Sequence, residues 1–235
     1  MTKKTFYSEL AYLIGLLVLA FGTSLMTVAD LGLSMIVAPA YILHLKISEF
    51  LPFFSFGMAE YTFQALLILI TVIIIRRFRV SYLFSFATAV LYGIALDSWL
   101  LLTTHFSSDI LALRILLFVV GTLMCTFGVA LLFRTYISPE AYELIVKEVS
   151  KKFNFNINHV KTVYDISSLV LSVTFSFIFF GLFEFHGIYW GTLVSAMFNG
   201  LLIGLFGKML DKLFVFKDKL SLRNFFESTK TKKDS

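Results

Sequence analysis

"FGVALLFRTYISPE" (127–140) lies without gaps on "FGTSLMTVADLGLS" (21–34), so that Gly22 matches Gly128 and Ser34 matches Glu140. Further on, "TLVSAMFNGLLIG" (192–204) lies on "SFATAVLYGIALD" (85–97), and there Ser85, Ala89 and Gly93 match Thr192, Ala196 and Gly200. The offsets are 106 and 107, one insertion apart. Around both pairs the features run in one order: a long apolar helix, a short interrupted helix, a loop, then two long helices. The chain therefore reads as one three-span unit written twice. An odd number of spans makes the second copy enter the membrane from the opposite side, which predicts an inverted repeat about an axis in the membrane plane.

The spans themselves come from composition. Hydrophobic residues make up 58% of the 235, 28 are Phe and only 15% are charged, against about a quarter in soluble domains. Windows of roughly 20 residues give six apolar segments able to cross a hydrocarbon core of ~30 Å. They run over 10–29, 58–75, 80–102, 110–133, 162–183 and 188–207. The alternation of a barrel strand is absent from them. The first is longer than the apolar run of a secretion signal and five more follow, so it reads as retained.

Positive charge sets the expected orientation. With the N-terminus inside, 18 of the 20 Lys and Arg residues fall on the inner side, leaving Lys46 and Arg114 outside. Both termini are therefore expected in the cytoplasm and the chain in a bacterial plasma membrane, crossing it several times. The formal charge of +5 is a topology signal and needs no nucleic acid. Residues 1–104 and 105–210 make the two expected repeats, and 211–235 a basic cytoplasmic tail able to touch anionic headgroups.

Between spans four and five, "SPEAYELIVKEVSKKF" (138–153) is a water-loving helix. Ser138 can cap it and Pro139 suits its first position. Glu140 and Glu143 stand at the positive end of its dipole, with Lys147, Lys151 and Lys152 towards the other. Glu143–Lys147 and Glu148–Lys152 have favourable i,i+4 spacing, and Ala141, Ile145, Val149 and Phe153 form an apolar stripe. It is too short to span, so it is expected at the interface or dipping partly inward. Its counterpart in the first half is "SMIVAPAYILHLK" (34–46), expected on the outer face.

Ionisable groups in spans are costly and mark function or staples. Asp97 and Arg114 lie equally deep from the outer side and are expected to pair across a short loop. Asp165 sits a turn from Lys161, with Arg134 on the same side. Asp30 and Glu60 flank the outer short helix, as wet helix ends or as a vestibule. Asn199, mid-span, reads as interhelical glue or a solute contact. The small-residue ladders Ser85–Ala89–Gly93 and Thr192–Ala196–Gly200–Gly204 are expected to bring their two helices together near the pseudo-twofold axis. The helix starts at Ser34 and Ser138 offer free N–H groups to an anion, whereas Glu140 would repel one and suits a cation or a proton. The candidate substrate-binding set is thus Asp30, Ser34, Asp97, Ser138, Glu140, Asp165 and Asn199.

Neither P-loop, zinc-protease motif nor nucleophile elbow occurs. Cys125 is the single cysteine, and the four histidines are scattered, so no metal or other cofactor is expected. The acids on the spans are too dispersed for an acid–base set, and no enzyme activity is expected. The leading reading is a carrier of a small solute or proton, with its site at the membrane midplane between the repeats. The alternative is a substrate-capture or accessory subunit of a larger complex, docked through helix 139–153 or the tail.

"FGTSLMTVADLGLS" ending the first span, "YISPEAYELIVKEVSKKF" (136–153), "VKTVYDIS" (160–167) and "GIYWGTLVSAMFNGLLIGLFGK" (187–208) resemble the YczE/YyaS/YitT-type family of bacterial integral membrane proteins over roughly residues 10–210. The resemblance implies a polytopic membrane protein without an established biochemical function, and carries over no catalytic residue. Relatives commonly place proline directly after the first-half serine. Here Met35 follows Ser34 and Pro39 comes later, so a matched pair of Ser-Pro helix starts is not preserved.

Overall fold

The computed structural model describes residues 4–137 and 140–220, the side chain of Asn158 excepted. Eight α-helices are among them: α1 (Ser8–Ala29), α2 (Ala38–Ser48), α3 (Phe56–Ile75), α4 (Val80–Thr103), α5 (Leu111–Leu132), α6 (Ala141–Phe153), α7 (Ile157–Phe180) and α8 (Trp190–Leu213). All except α2 and α6 are long and apolar enough to cross a membrane, which makes the chain a multi-pass membrane protein of six spans. The tail expected from 211 lies largely outside the described residues, which end at Leu220.

The most extensive packing in the molecule is that of α1 on α5. Glycine permits it. A side chain on Gly22 would drive into the backbone of Gly121 and Cys125, and one on Gly128 into that of Gly15 and Leu19. Gly15 thus meets Gly128 while Gly22 meets Gly121, so the two helices run antiparallel with touching backbones. Around this pair α4 packs on α1 and α8 on α5, while α6 packs on α3 and α2 on α7. The first-half ladder serves a different contact from the one expected. Gly93 of α4 meets Gly57 of α3, where either side chain would strike the other's carbonyl. The glycines of the second-half ladder pack on nothing: an added side chain at Gly200 or Gly204 would meet no atom within 4 Å. α8 therefore does not meet α4 through matched ladders.

The short helix α6 reaches into the bundle. At one end of α6 the Ala141 amide lies against Gln64, midway along α3; at the other, Lys152 donates to the carbonyl of Ile74 near the end of α3. At ~1.5 Å per residue those ten residues of α3 amount to about 15 Å, half a hydrocarbon core. α6 is thus a half-helix whose amino end stands deep in the bundle. Ala141, Tyr142, Leu144, Ile145, Val146 and Glu148 are buried, whereas the last turn is exposed. Sequence spacing placed its apolar stripe on one face; burial on several sides at the amino end is what immersion among α3, α4 and α7 requires.

The first and last described elements meet at one end of the bundle. A short strand, β1 (Lys4–Tyr7), pairs in parallel with β2 (Phe214–Lys217), Lys4 opposite Phe214. Ser8 donates to Asp218 at 2.7 Å, and the Glu9 carboxylate accepts the amides of Lys219 and Leu220 and the hydroxyl of Tyr136. Nothing in the apolar patterning announced this strand pair.

Candidate functional site

Glu60 and Gln64 stand one turn apart on α3, so they share a face, and both are fully buried. Opposite them is the amino end of α6. The Ala141 N–H, one of the donors that a helix start leaves without an intrahelical partner, gives its hydrogen bond to Gln64 Oε1 at 3.1 Å. This fixes the amide: with its oxygen on Ala141, Gln64 turns its NH2 to Glu60 Oε2, 3.4 Å away. The Tyr142 hydroxyl donates to the same Oε2 at 2.7 Å. Glu60 Oε1 is left buried without a partner.

Glu140 caps the same helix end with its backbone, its carbonyl accepting from Glu143 and Leu144 at 3.1 Å. Its side chain makes no capping bond, and its Oε1 is likewise enclosed and unpartnered. Burial first, then the carboxylates of Glu60 and Glu143, push the Glu140 carboxyl up from 4.5 to about 8. Neither Glu60 nor Glu140 forms an ion pair with a described lysine, arginine or histidine. Two acids without an ion-pair partner among the described residues therefore stand at the buried crossing of α3 and α6, where taking a charge out of water is costly.

Other sequence candidates land elsewhere. Asp97 does not pair with Arg114. Its Oδ1 accepts the Gly57 N–H at 2.8 Å and its Oδ2 the Ser55 hydroxyl, so it caps the start of α3 from α4, where a free helix end needed an acceptor. Arg114 serves the other end of a helix, donating to the carbonyls of Ala29 and Asp30 and to Asp30 Oδ2 at 3.1 Å, where α1 ends in a left-handed turn at Asp30. Asp30 is thus a staple at the helix end. Arg134 is held by Asp211 of α8 at 2.7 and 2.6 Å and takes no part in the Lys161 cluster. Lys161 bridges Asp165 at 3.5 Å and Glu143 at 3.3 Å. Ser34 lends its backbone carbonyl to the turn entering α2. Asn199 has a buried, unpartnered Oδ1. Ser138 and Pro139 lie outside the described residues.

The sequence reading put Glu60 beside the outer short helix as a wet end or vestibule. Its side chain is instead sealed against α6. The signal was present: in "GMAEYTFQALLI" (57–68) two polar residues at i,i+4 interrupt an apolar run, which stripes one face of an otherwise apolar helix.

The fold and site together define a six-span helical membrane protein with a half-helix ending in an acidic interior. The chain belongs to a family of unknown function, DUF6198, whose model matches residues 6–208. No curated protein and no solved structure matches it. The match agrees with the expected extent and with the absence of an established function, and lends no support to the YczE/YyaS/YitT-type name itself.

Proposed function

We propose that the chain is a carrier of a small solute, seated as an inverted repeat in a bacterial plasma membrane with both termini in the cytoplasm, and that Glu60 and Glu140 form its working site. One observation carries the reading: Glu60, held by Tyr142 at the amino end of α6, and Glu140, which begins that helix, each keep a buried carboxylate oxygen without a partner. Such half-helix ends bring helix dipoles and free backbone groups to the middle of a bilayer, which is where carriers hold solutes and coupling ions. The reading makes the protein no enzyme.

Contact swaps support the inverted repeat. Adding the sequence offset of 106 turns Gly15 into Gly121 and Gly22 into Gly128, so the pair Gly15–Gly128 becomes Gly121–Gly22, its own partner contact. The same shift turns the Lys46 ammonium, 5.7 Å over Phe180, into Lys152 on Ile74. Packing of α6 on α3 becomes that of α2 on α7, and α4 on α1 becomes α8 on α5. The pairing of β1 with β2 supports a shared side for the termini.

The test has two parts. Single cysteines at Ser34→Cys and Ser138→Cys in a Cys125→Ser background should react with an impermeant thiol reagent from opposite sides; reaction from one side would overturn the inverted repeat. Proteoliposomes holding the full chain should take up at least one member of a broad panel of small solutes, and Glu60→Gln should abolish that uptake. Silence across the panel, with and without an imposed proton or sodium gradient, would overturn the carrier.

A second reading, an accessory subunit of a larger complex, is favoured by one feature. α7 and α8 do not pack on each other as α3 and α4 do, and the glycine face of α8 stays open. The expected docking helix 139–153 lends it less support, because its amino half is buried in the bundle.

A further inference from the structure

We propose that Arg76, Arg77, Lys151 and Lys152 form a site for the phosphate of an anionic phospholipid headgroup, and that a bound headgroup fastens the carboxyl end of α6 to the end of α3. Such a site needs only the six-span fold and is independent of whether the protein carries a solute.

Two separate segments build the cluster. The last turn of α6 lies against the end of α3, where Lys152 donates to the carbonyl of Ile74, 78 residues away in sequence. That carbonyl is one of those a helix end leaves without an intrahelical partner, so the bond satisfies a donor and leaves the lysine's charge unbalanced. Directly after α3, Arg76 closes the helix in a left-handed turn, its amide on the Val72 carbonyl, and Arg77 follows. All four cations are exposed, and none forms an ion pair with a described acid. Glu148 of α6 is already held by Arg79 at 3.0 Å and by the Tyr82 hydroxyl at 3.2 Å. The junction of α3 and α6 therefore presents positive charge that the described protein does not neutralise.

The balancing anion comes from the bilayer. Both α3 and α4 are spans, so the residues between them stand where hydrocarbon gives way to headgroups. Exposed rings flank the cations: Phe78 from the same loop, and Phe153 and Phe155 stacked at 5.9 Å just beyond Lys152. The Lys152 ammonium lies 5.4 Å over the Phe153 ring. Apolar rings beside cations suit a layer with acyl chains on one side and phosphates on the other. A dissolved anion would gain nothing from the rings. The planar fork of an arginine meets two phosphate oxygens at once, and a lysine adds a point charge. A phosphate shared between the loop and the last turn of α6 would tether the half-helix whose amino end holds Glu60 and Gln64.

The test titrates the purified full chain, in neutral detergent, with phosphatidylglycerol and with phosphatidylcholine as the zwitterionic control. Saturable binding of phosphatidylglycerol is expected. It should weaken about fivefold for each cation removed along the series Arg76→Gln, Arg76→Gln/Arg77→Gln and Arg76→Gln/Arg77→Gln/Lys151→Gln. Removing three charges from the tail instead, in Lys230→Gln/Lys232→Gln/Lys233→Gln, should leave the affinity near wild type. Equal binding of the two lipids by the wild type, or an equal loss in the tail variant, would overturn the site. Displacement of the lipid by equimolar inorganic phosphate would overturn the lipid as its ligand. Hydrogen exchange in nanodiscs reads the fastening: amides of 147–153 should exchange more slowly in phosphatidylglycerol than in phosphatidylcholine. Equal exchange in the two would overturn the tether to α6. The lipid comparisons use the wild-type chain, so a variant that fails to fold leaves them intact.

Discussion

Two helix crossings stand in matching positions along the chain and differ in kind. Where α2 meets α7, Ala38 and Ile42 are fully buried against Leu169, Val173 and Phe179, with Ile188 closing the cluster. Where α6 meets α3, the interior holds Glu60, Gln64, Tyr142 and Glu140. The same helix arrangement is thus compatible with an apolar filling. Replacing buried ionisable groups by packed apolar ones is commonly neutral or stabilising, so the acids at the second crossing are not there to hold the helices together. The difference separates a crossing filled by apolar side chains from one that encloses acids.

The largest effect should come from the apolar side. Ile42→Ala empties a fully buried position and should cost about 2–5 kcal/mol in unfolding measured in detergent. Uptake per folded molecule should stay near wild type. A loss of uptake matched to intact stability would mean that the apolar crossing belongs to the site as well.

On the polar side, Gln64→Leu keeps the volume and removes both a helix cap and a donor to Glu60. The Ala141 N–H and Glu60 Oε2 each lose a partner, at a cost of about 1–3 kcal/mol. A more stable variant would show that the amide found another acceptor, and that the crossing tolerates an apolar filling without adjustment.

Acidity should distinguish the crossings next. The Glu140 carboxyl is raised in the fold from 4.5 to about 8, so the folded chain binds that proton more tightly than the unfolded chain. Between those values the folded state carries more protons, and stability falls as pH rises through the window; it is greatest below 4.5. Thermal midpoints measured across the window should therefore decline for the wild type and decline less steeply for Glu140→Gln. An equal slope in both would place the proton elsewhere.

What could be read beforehand follows the range of the forces involved. The six spans and two short helices depend on runs of apolar residues and on local start signals, and all eight were legible. Pairings across the bundle were not. Asp97 and Arg114 have equal depth, and depth alone suggested a pair; each instead satisfies a helix end on a different neighbour, Asp97 the start of α3 and Arg114 the end of α1. Glu60 was misplaced because four residues from a helix start is near water only if nothing reaches in to cover it, and α6 does. Glu140 was legible as an acid at a helix start, though not that a carboxylate oxygen of it would be enclosed without a partner. The strand pair at the termini joins residues some 210 apart and carries no local periodicity long enough to show.

Tyr142→Phe is the smallest change and the sharpest probe of the polar crossing. The ring stays, packed 6.4 Å from that of Phe63, and only the hydroxyl on Glu60 is lost. If Glu60 Oε2 is held in place chiefly by this 2.7 Å bond, with Gln64 a weaker second donor at 3.4 Å, the variant should lose about 1 kcal/mol of stability. In the Glu60→Gln background the same change should cost less, because the hydroxyl then faces a neutral acceptor. The coupling read from that four-member cycle isolates the bond between a half-helix and a span. A value near zero would mean that the carboxylate keeps its place without α6, and that the two crossings differ in composition but not in what they hold.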